Sequence, residues 1–91
     1  MKVDIYRAKK SPGNHEKLYI FMPTGSKVKN LPHEIIKKTG GLVVEKTIDI
    51  QPGEKRIALD TDEALRKLTE KGYHEQSSKI EFEIRVGGLN A

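Results

Sequence analysis

The amino-acid sequence predicts an α+β fold in which two helices pack on a mainly antiparallel sheet, in the order ββαββαβ and in a two-layer or sandwich-like arrangement. Three observations support this prediction. Apolar and polar residues alternate in several short segments, residues 61–68 have helical periodicity, and clusters of glycine and proline separate these elements. A chain of 91 residues is expected to form a single domain, 1–91, around one modest core.

The first two strands are predicted to form an antiparallel hairpin at the centre of the sheet. Residues 2–7 alternate apolar and polar side chains, as a half-buried strand does, and a turn cluster follows at residues 11–14. Residues 17–22 carry apolar or aromatic side chains on both faces, which predicts a central strand. Tyr19 and Phe21 fall on one of these two faces.

A short helix and a second pair of strands are expected in the middle of the chain. The basic segment 23–30 has no periodicity, and Leu31-Pro32 then resembles a helix entrance that Gly40-Gly41 would close after roughly two turns. Residues 42–50 are rich in β-branched side chains, which predicts a strand. A turn at residues 51–54 leads to a short strand at residues 56–59.

The strongest helix signal follows Leu59. Thr61, Ala64, Leu65 and Leu68 recur at i, i+3, i+4 and i+7 and so share one apolar face. Asp60 or Thr61 can cap the start, and a left-handed Gly72 after the last turn would let Tyr73 fold back onto Leu68. Residues 79–86 alternate strictly and predict the last strand.

Several of these segments also carry a family resemblance. The sequence resembles the YcgL domain family of small bacterial proteins over about residues 3–76. The similar strings are Ile5-Tyr6-Arg7, Leu18-Tyr19-Ile20, Leu31-Pro32, and Leu68 to Tyr73 together with Gln76. Family members continue into a proline-containing tail, whereas this chain continues with Ser77-Ser78, so the resemblance does not cover the predicted strand 79–86. It implies a compact α/β sandwich in a bacterial cytoplasm, and it implies no catalytic residue.

Composition excludes some classes of site. The chain has no cysteine, so disulfides and thiolate metal ligands are excluded. His15, His33 and His74 lie at no ligand spacing and are expected to be solvated, and we predict no metal and no cofactor. Gly25-Ser26-Lys27 resembles the end of a phosphate loop but lacks the upstream glycine, so a flexible surface loop is expected. Without a signal peptide or a long apolar run, the expected location is cytoplasmic, with no membrane partner.

Charge is distributed unevenly along the chain. Residues 1–38 contain nine Lys/Arg and three acids, whereas residues 39–91 contain eight and ten. Basic and aromatic residues together are typical of single-stranded nucleic-acid binding, because cations contact phosphates and exposed rings stack on bases. The predicted residues of such an N-terminal face are Arg7, Lys9, Lys10, Lys27, Lys29, Tyr6 and Tyr19. The alternative interpretation places Tyr19 and Phe21 in the core and assigns the lysines to solubility.

The preferred functional interpretation is a non-catalytic protein-interaction module. The regular strand 79–86 could pair with the edge strand of a partner protein or of a second copy of the chain. Serines in turn-like contexts have no adjacent histidine, and the acids near Asp60 are explained by helix capping. We therefore predict no enzymatic activity, and an enzyme remains the third alternative after nucleic-acid binding.

Overall fold

A computed structural model of the chain describes residues 1–11, 13, 16–54 and 59–78. Within these residues, four strands form one antiparallel sheet and two α-helices and a short 3-10 helix connect them. The strands are β1 (Lys2–Ala8), β2 (Lys17–Pro23), β3 (Leu42–Asp49) and β4 (His74–Ser78), in the spatial order β3-β1-β2-β4. The helices are α1 (His33–Thr39), α2 (Thr61–Lys71) and the 3-10 helix Val28–Asn30. The α+β class is confirmed.

The β1–β2 hairpin forms the centre of the sheet, as predicted. Val3 pairs with Pro23 and Arg7 pairs with Tyr19, so the two strands are in register along most of their length. Phe21 and Ile20 point to opposite faces, and both are fully buried. A strand that is apolar on both faces therefore needs cover on both sides of the sheet.

The two helices supply this cover, one on each face. The α2-side core contains Val3, Ile5, Tyr19, Phe21, Ile50, Leu59, Ala64 and Leu68. The α1-side core contains Ile20, Met22, Leu31 and Ile35. Neighbouring residues of β2 alternate between these two cores, as the period of a strand requires. Of the two predicted arrangements, the structure therefore adopts the sandwich.

The ends of α2 were predicted correctly. The Asp60 carboxylate accepts a hydrogen bond from the Glu63 backbone N–H at 3.1 Å, and Gly72 adopts a φ of 84° beyond the last turn. Such a φ is strained for residues with a Cβ and is readily adopted by glycine. The predicted contact between Tyr73 and Leu68 is wrong, because Tyr73 packs against the α1-side core whereas Leu68 belongs to the α2-side core.

The chain after Gly72 differs from the prediction. Residues 74–78 had no predicted element, but they form β4, which pairs with β2 from Phe21–His74 to Lys17–Ser78. The sequence His-Glu-Gln-Ser-Ser has no alternation of apolar residues, and the ladder to β2 holds it extended. The predicted strand 79–86 and residues 56–58 of the predicted fourth strand lie outside the described residues. Leu59 forms an isolated bridge.

Candidate anion-binding groove

A groove of about 480 Å³ opens where β2 ends and β4 begins. Its lining residues come from β2, from the loop after it, and from the turn between α2 and β4. They are Met22, Gly25, Ser26, Lys27, Lys29, Asn30, Leu31, Lys71, Gly72 and Tyr73. Met22 and Leu31 are buried and give the groove an apolar base. The described residues that line it include three lysines and no carboxylate.

Local backbone hydrogen bonds shape one wall of the groove. The N–H of Ser26 donates to the carbonyl of Pro23 at 2.9 Å, closing a turn in which Gly25 has a φ of 95°. The 3-10 helix follows, and the N–H of Leu31 donates to the carbonyl of Val28 at 3.0 Å. Gly25-Ser26-Lys27, which was expected to be a flexible surface loop, thus includes a hydrogen-bonded turn at the surface. Together with the 3-10 helix that follows, this turn places Lys27 and Lys29 beside the groove.

The opposite wall comes from the end of α2. Lys71 lies in the last helical turn, and the left-handed Gly72 redirects the chain so that Tyr73 precedes β4. Within the part of the chain that the structure describes, Lys27, Lys29 and Lys71 form no ion pair with a carboxylate. Three lysines around one concave surface, with no ion-pair partner among the described residues, favour the approach of anions.

The other cations of the predicted N-terminal face lie elsewhere. The loop that lines the groove begins beside Lys2, at one end of β1. Arg7 lies at the other end of the β1–β2 hairpin, roughly 17 Å along the strand from Lys2. Its guanidinium Nε donates to the Glu45 carboxylate at 2.7 Å. A β-bulge lies beside this pair, because the register of β3 against β1 shifts between Ile5 and Tyr6 and leaves Glu45 as the extra residue.

Lys9 and Lys10 also lie at that far end, against the C-terminus of α1. The backbone N–H of Lys9 donates to the carbonyl of Gly41 and that of Lys10 to the carbonyl of Thr39, each at 2.9 Å. Cations are favoured at a helix C-terminus, where the dipole is negative. The predicted basic face is therefore divided, and only Lys27 and Lys29 of its five cations line the groove.

The predicted aromatic surface loses its buried members. Tyr19 is 1% exposed and Phe21 is fully buried, so neither ring can stack on a base. Tyr6 is half-buried and packs against the α1-side core. The alternative interpretation, that Tyr19 and Phe21 are core residues, is correct. The groove instead contains Tyr73, a half-buried tyrosine that sequence reasoning placed only at a helix end.

A second, smaller cavity of about 160 Å³ adjoins the groove, and we call it the α2–β4 pocket. Its lining residues are Glu63, Lys67, Lys71, Tyr73, His74 and Glu75, so it shares Lys71 and Tyr73 with the groove. The expectation of a solvated His74 is wrong, because this residue is 7% exposed and part of β4. His33 is exposed, and His15 lies outside the described residues.

The described residues contain no group of three or more histidine, aspartate or glutamate side chains placed to hold a metal ion. No helix among them is both long and apolar enough to cross a membrane.

The fold and its groove define a small α+β sandwich domain with a helix on each face of a four-stranded antiparallel sheet. The family model of the YcgL domain matches residues 3–79, and the chain belongs to this family. The match includes all of β4, which the resemblance in the sequence covered only in part. Neither the search of curated proteins nor the search of solved structures finds a match.

Proposed function

We propose that this protein binds single-stranded nucleic acid in the basic groove and catalyses no reaction on it. The observation that supports the proposal is the convergence of Lys27, Lys29 and Lys71, without carboxylate partners among the described residues, on a groove with an apolar base. A nucleic-acid strand presents one phosphate per nucleotide, and lysines that contact these phosphates release counterions on binding. The groove volume of about 480 Å³ lies within the range of ligand sites.

The groove suits a flexible strand better than a rigid ligand. Lysine ammonium groups are point charges on long flexible stems, and they adapt to phosphates at irregular positions. The half-buried ring of Tyr73 offers one aromatic surface for a base, whereas Tyr19, which was predicted for this role, is buried. A single ring supplies less stacking than a multi-ring platform, so most of the affinity is expected to be electrostatic.

The test is fluorescence-anisotropy titration of labelled single-stranded RNA and DNA at several salt concentrations. Contacts to three phosphates predict that log affinity falls with log salt with a slope of about 2, since each contact on a single strand contributes about 0.7. The Lys27→Ala/Lys29→Ala variant should lower this slope to about 0.7 and bind more weakly.

The matched control is the Lys9→Ala/Lys10→Ala variant. It removes the same charge at the other end of the hairpin and should retain the wild-type slope. Absence of binding at low salt would refute the proposal. Equal weakening in both double variants would show that net charge, rather than the groove, determines the affinity.

A second candidate function is protein interaction through self-association. The predicted interaction strand, 79–86, lies outside the described residues, but β3 is an edge strand of the sheet that the structure describes. Its Val43 and Val44 side chains are 39% and 58% exposed. In an antiparallel pairing of β3 with β3 of a second copy, about an axis between Glu45 and Lys46, Glu45 of each copy would lie opposite Lys46 of the other. The charges of the two strands are therefore self-complementary.

This second candidate predicts a weak dimer, because bulges and charged side chains oppose edge pairing. Analytical ultracentrifugation over a range of protein concentrations tests it. Val44→Lys should abolish the dimer, whereas Lys37→Ala, a change on exposed α1 surface, should leave it intact. A wild-type protein that is monomeric at every concentration would exclude self-association through β3.

A further inference from the structure

The α2–β4 pocket has the size of a single ring. Glu63, Lys67 and Lys71 follow one another at i, i+4 spacing on α2 and form one wall, and His74 and Glu75 of β4 form the other. Its volume is about 160 Å³. A protein cavity of about 150 Å³ accommodates benzene, so this pocket can hold one six-membered ring.

The pocket also differs from the groove in its hydrogen-bonding groups. It contains carboxylates as well as lysines, so it offers both acceptors and donors. Glu75 already forms an ion pair with Lys38 of α1. The Glu63 carboxylate, by contrast, lies 4.0 Å from the Arg66 guanidinium, beyond hydrogen-bond distance, and its side chain is 47% exposed. Glu63 is therefore the acceptor with most capacity for a ligand.

We infer that the α2–β4 pocket binds a cytosine base of the strand whose phosphates lie in the groove, and this inference rests on the proposed function. Lys71 and Tyr73 line both cavities. A phosphate on Lys71 therefore places the base of the same or the next nucleotide beside the pocket. The cytosine amino group donates hydrogen bonds, and a glutamate carboxylate is a suitable acceptor for it.

Uracil provides the matched comparison because it has the same ring size. It carries a carbonyl oxygen where cytosine carries the amino group, so two acceptors would face each other at Glu63. Lys67 can donate to the ring carbonyl that both bases share and does not discriminate between them. The pocket is therefore expected to prefer cytosine to uracil, whereas the groove lysines treat the two strands alike.

The experiment compares short oligocytidylate and oligouridylate RNAs by anisotropy at neutral pH. Wild-type protein should bind oligocytidylate about tenfold more tightly, with the same salt slope for both RNAs. Glu63→Gln should abolish the preference, because an amide can donate to the uracil oxygen as well as accept from the cytosine amino group. Glu70→Gln is the matched control, since it removes an α2 carboxylate that does not line the pocket.

The outcomes separate the inference from the proposed function. Equal binding of the two RNAs by the wild type would overturn the inference while leaving nucleic-acid binding in place. A preference for oligocytidylate that persists in Glu63→Gln would also overturn the inference. So would an equal loss of this preference in Glu70→Gln, because it would indicate a long-range charge effect. Failure of both RNAs to bind at low salt would refute the proposed function itself.

Discussion

His74 and Phe21 lie opposite each other in the β2–β4 ladder, and their rings meet edge to face with centroids 5.5 Å apart and an interplanar angle of 83°. His74 Nε2 also lies 3.0 Å from Gln76 Oε1 on the same strand. These contacts connect β4, whose sequence is polar, to the buried centre of the sheet. They give β4 a fixed position beside both cavities.

The first prediction concerns this ring contact. His74→Ala removes a ring that is largely buried and should lower the free energy of unfolding by about 1–2 kcal/mol, as judged from aromatic pairs and truncated core side chains. His74→Phe keeps an aromatic ring against Phe21 and should recover part of the loss. Urea denaturation of the two variants measures both values. Wild-type stability in His74→Ala would mean that the ladder alone holds β4.

The second prediction concerns the close approach of Lys10 to Gly40. Gly40 has a φ of 66°, and a Cβ added there would lie 2.6 Å from the Lys10 Cγ. Gly40→Ala should therefore destabilise the protein by about 1 kcal/mol from the left-handed backbone, with an added steric cost. Gly72→Ala is the comparison, because its φ is 84° and, apart from its chain neighbours, no atom of the described residues lies within 4 Å of the added Cβ.

A double variant separates the two contributions. In a Lys10→Ala background the obstructing methylene groups are absent, so the cost of Gly40→Ala should fall to that of Gly72→Ala. Thermal or urea unfolding of the four proteins in this cycle measures the difference. If the cost does not change, the Lys10 side chain moves aside freely and only backbone strain contributes.

The third prediction concerns the ion pair between Arg7 and Glu45. Their side chains are 41% and 33% exposed, and exposed pairs contribute little after solvent screening. A double-mutant cycle with alanine at both positions should give a coupling below about 1 kcal/mol that shrinks further at high salt. Arg7→Ala should also leave nucleic-acid affinity within about twofold of wild type, because Arg7 does not line the groove. A large loss of affinity would show that Arg7 and the groove lysines bind nucleic acid as one basic face.

The parts of the fold that could be predicted from sequence are those determined locally. The apolar stripe of α2, its Asp60 cap and its Gly72 terminus lie within one segment and follow from helix periodicity and capping preferences. The β1–β2 hairpin was predictable because apolar and polar residues alternate in β1, and β2, which is close by in the sequence, is apolar on both faces.

The parts that could not be predicted depend on contacts distant in sequence. β4 is extended because it pairs with β2, and its own residues show no strand pattern. The same pairing brings Lys71 next to Lys27 and Lys29, which belong to an unrelated segment. Charge counts along the chain could not show that Arg7 has an acidic partner. The burial of Tyr19 likewise depends on α2, which covers that face.

The last prediction concerns Thr61, the first residue of α2. Its side chain is 3% exposed, and its hydroxyl oxygen has no hydrogen-bond partner within the described part of the chain. A buried hydroxyl that loses its water without gaining a partner is unfavourable by about 1–3 kcal/mol. Valine has the same branched shape without the hydroxyl, so Thr61→Val should leave stability unchanged or raise it by up to about 1 kcal/mol in urea denaturation.

Thr61→Ser is the converse control, because it keeps the oxygen and removes the buried methyl group. This variant should be less stable than the wild type. A marked loss of stability in Thr61→Val would show that the hydroxyl has a partner in the folded protein.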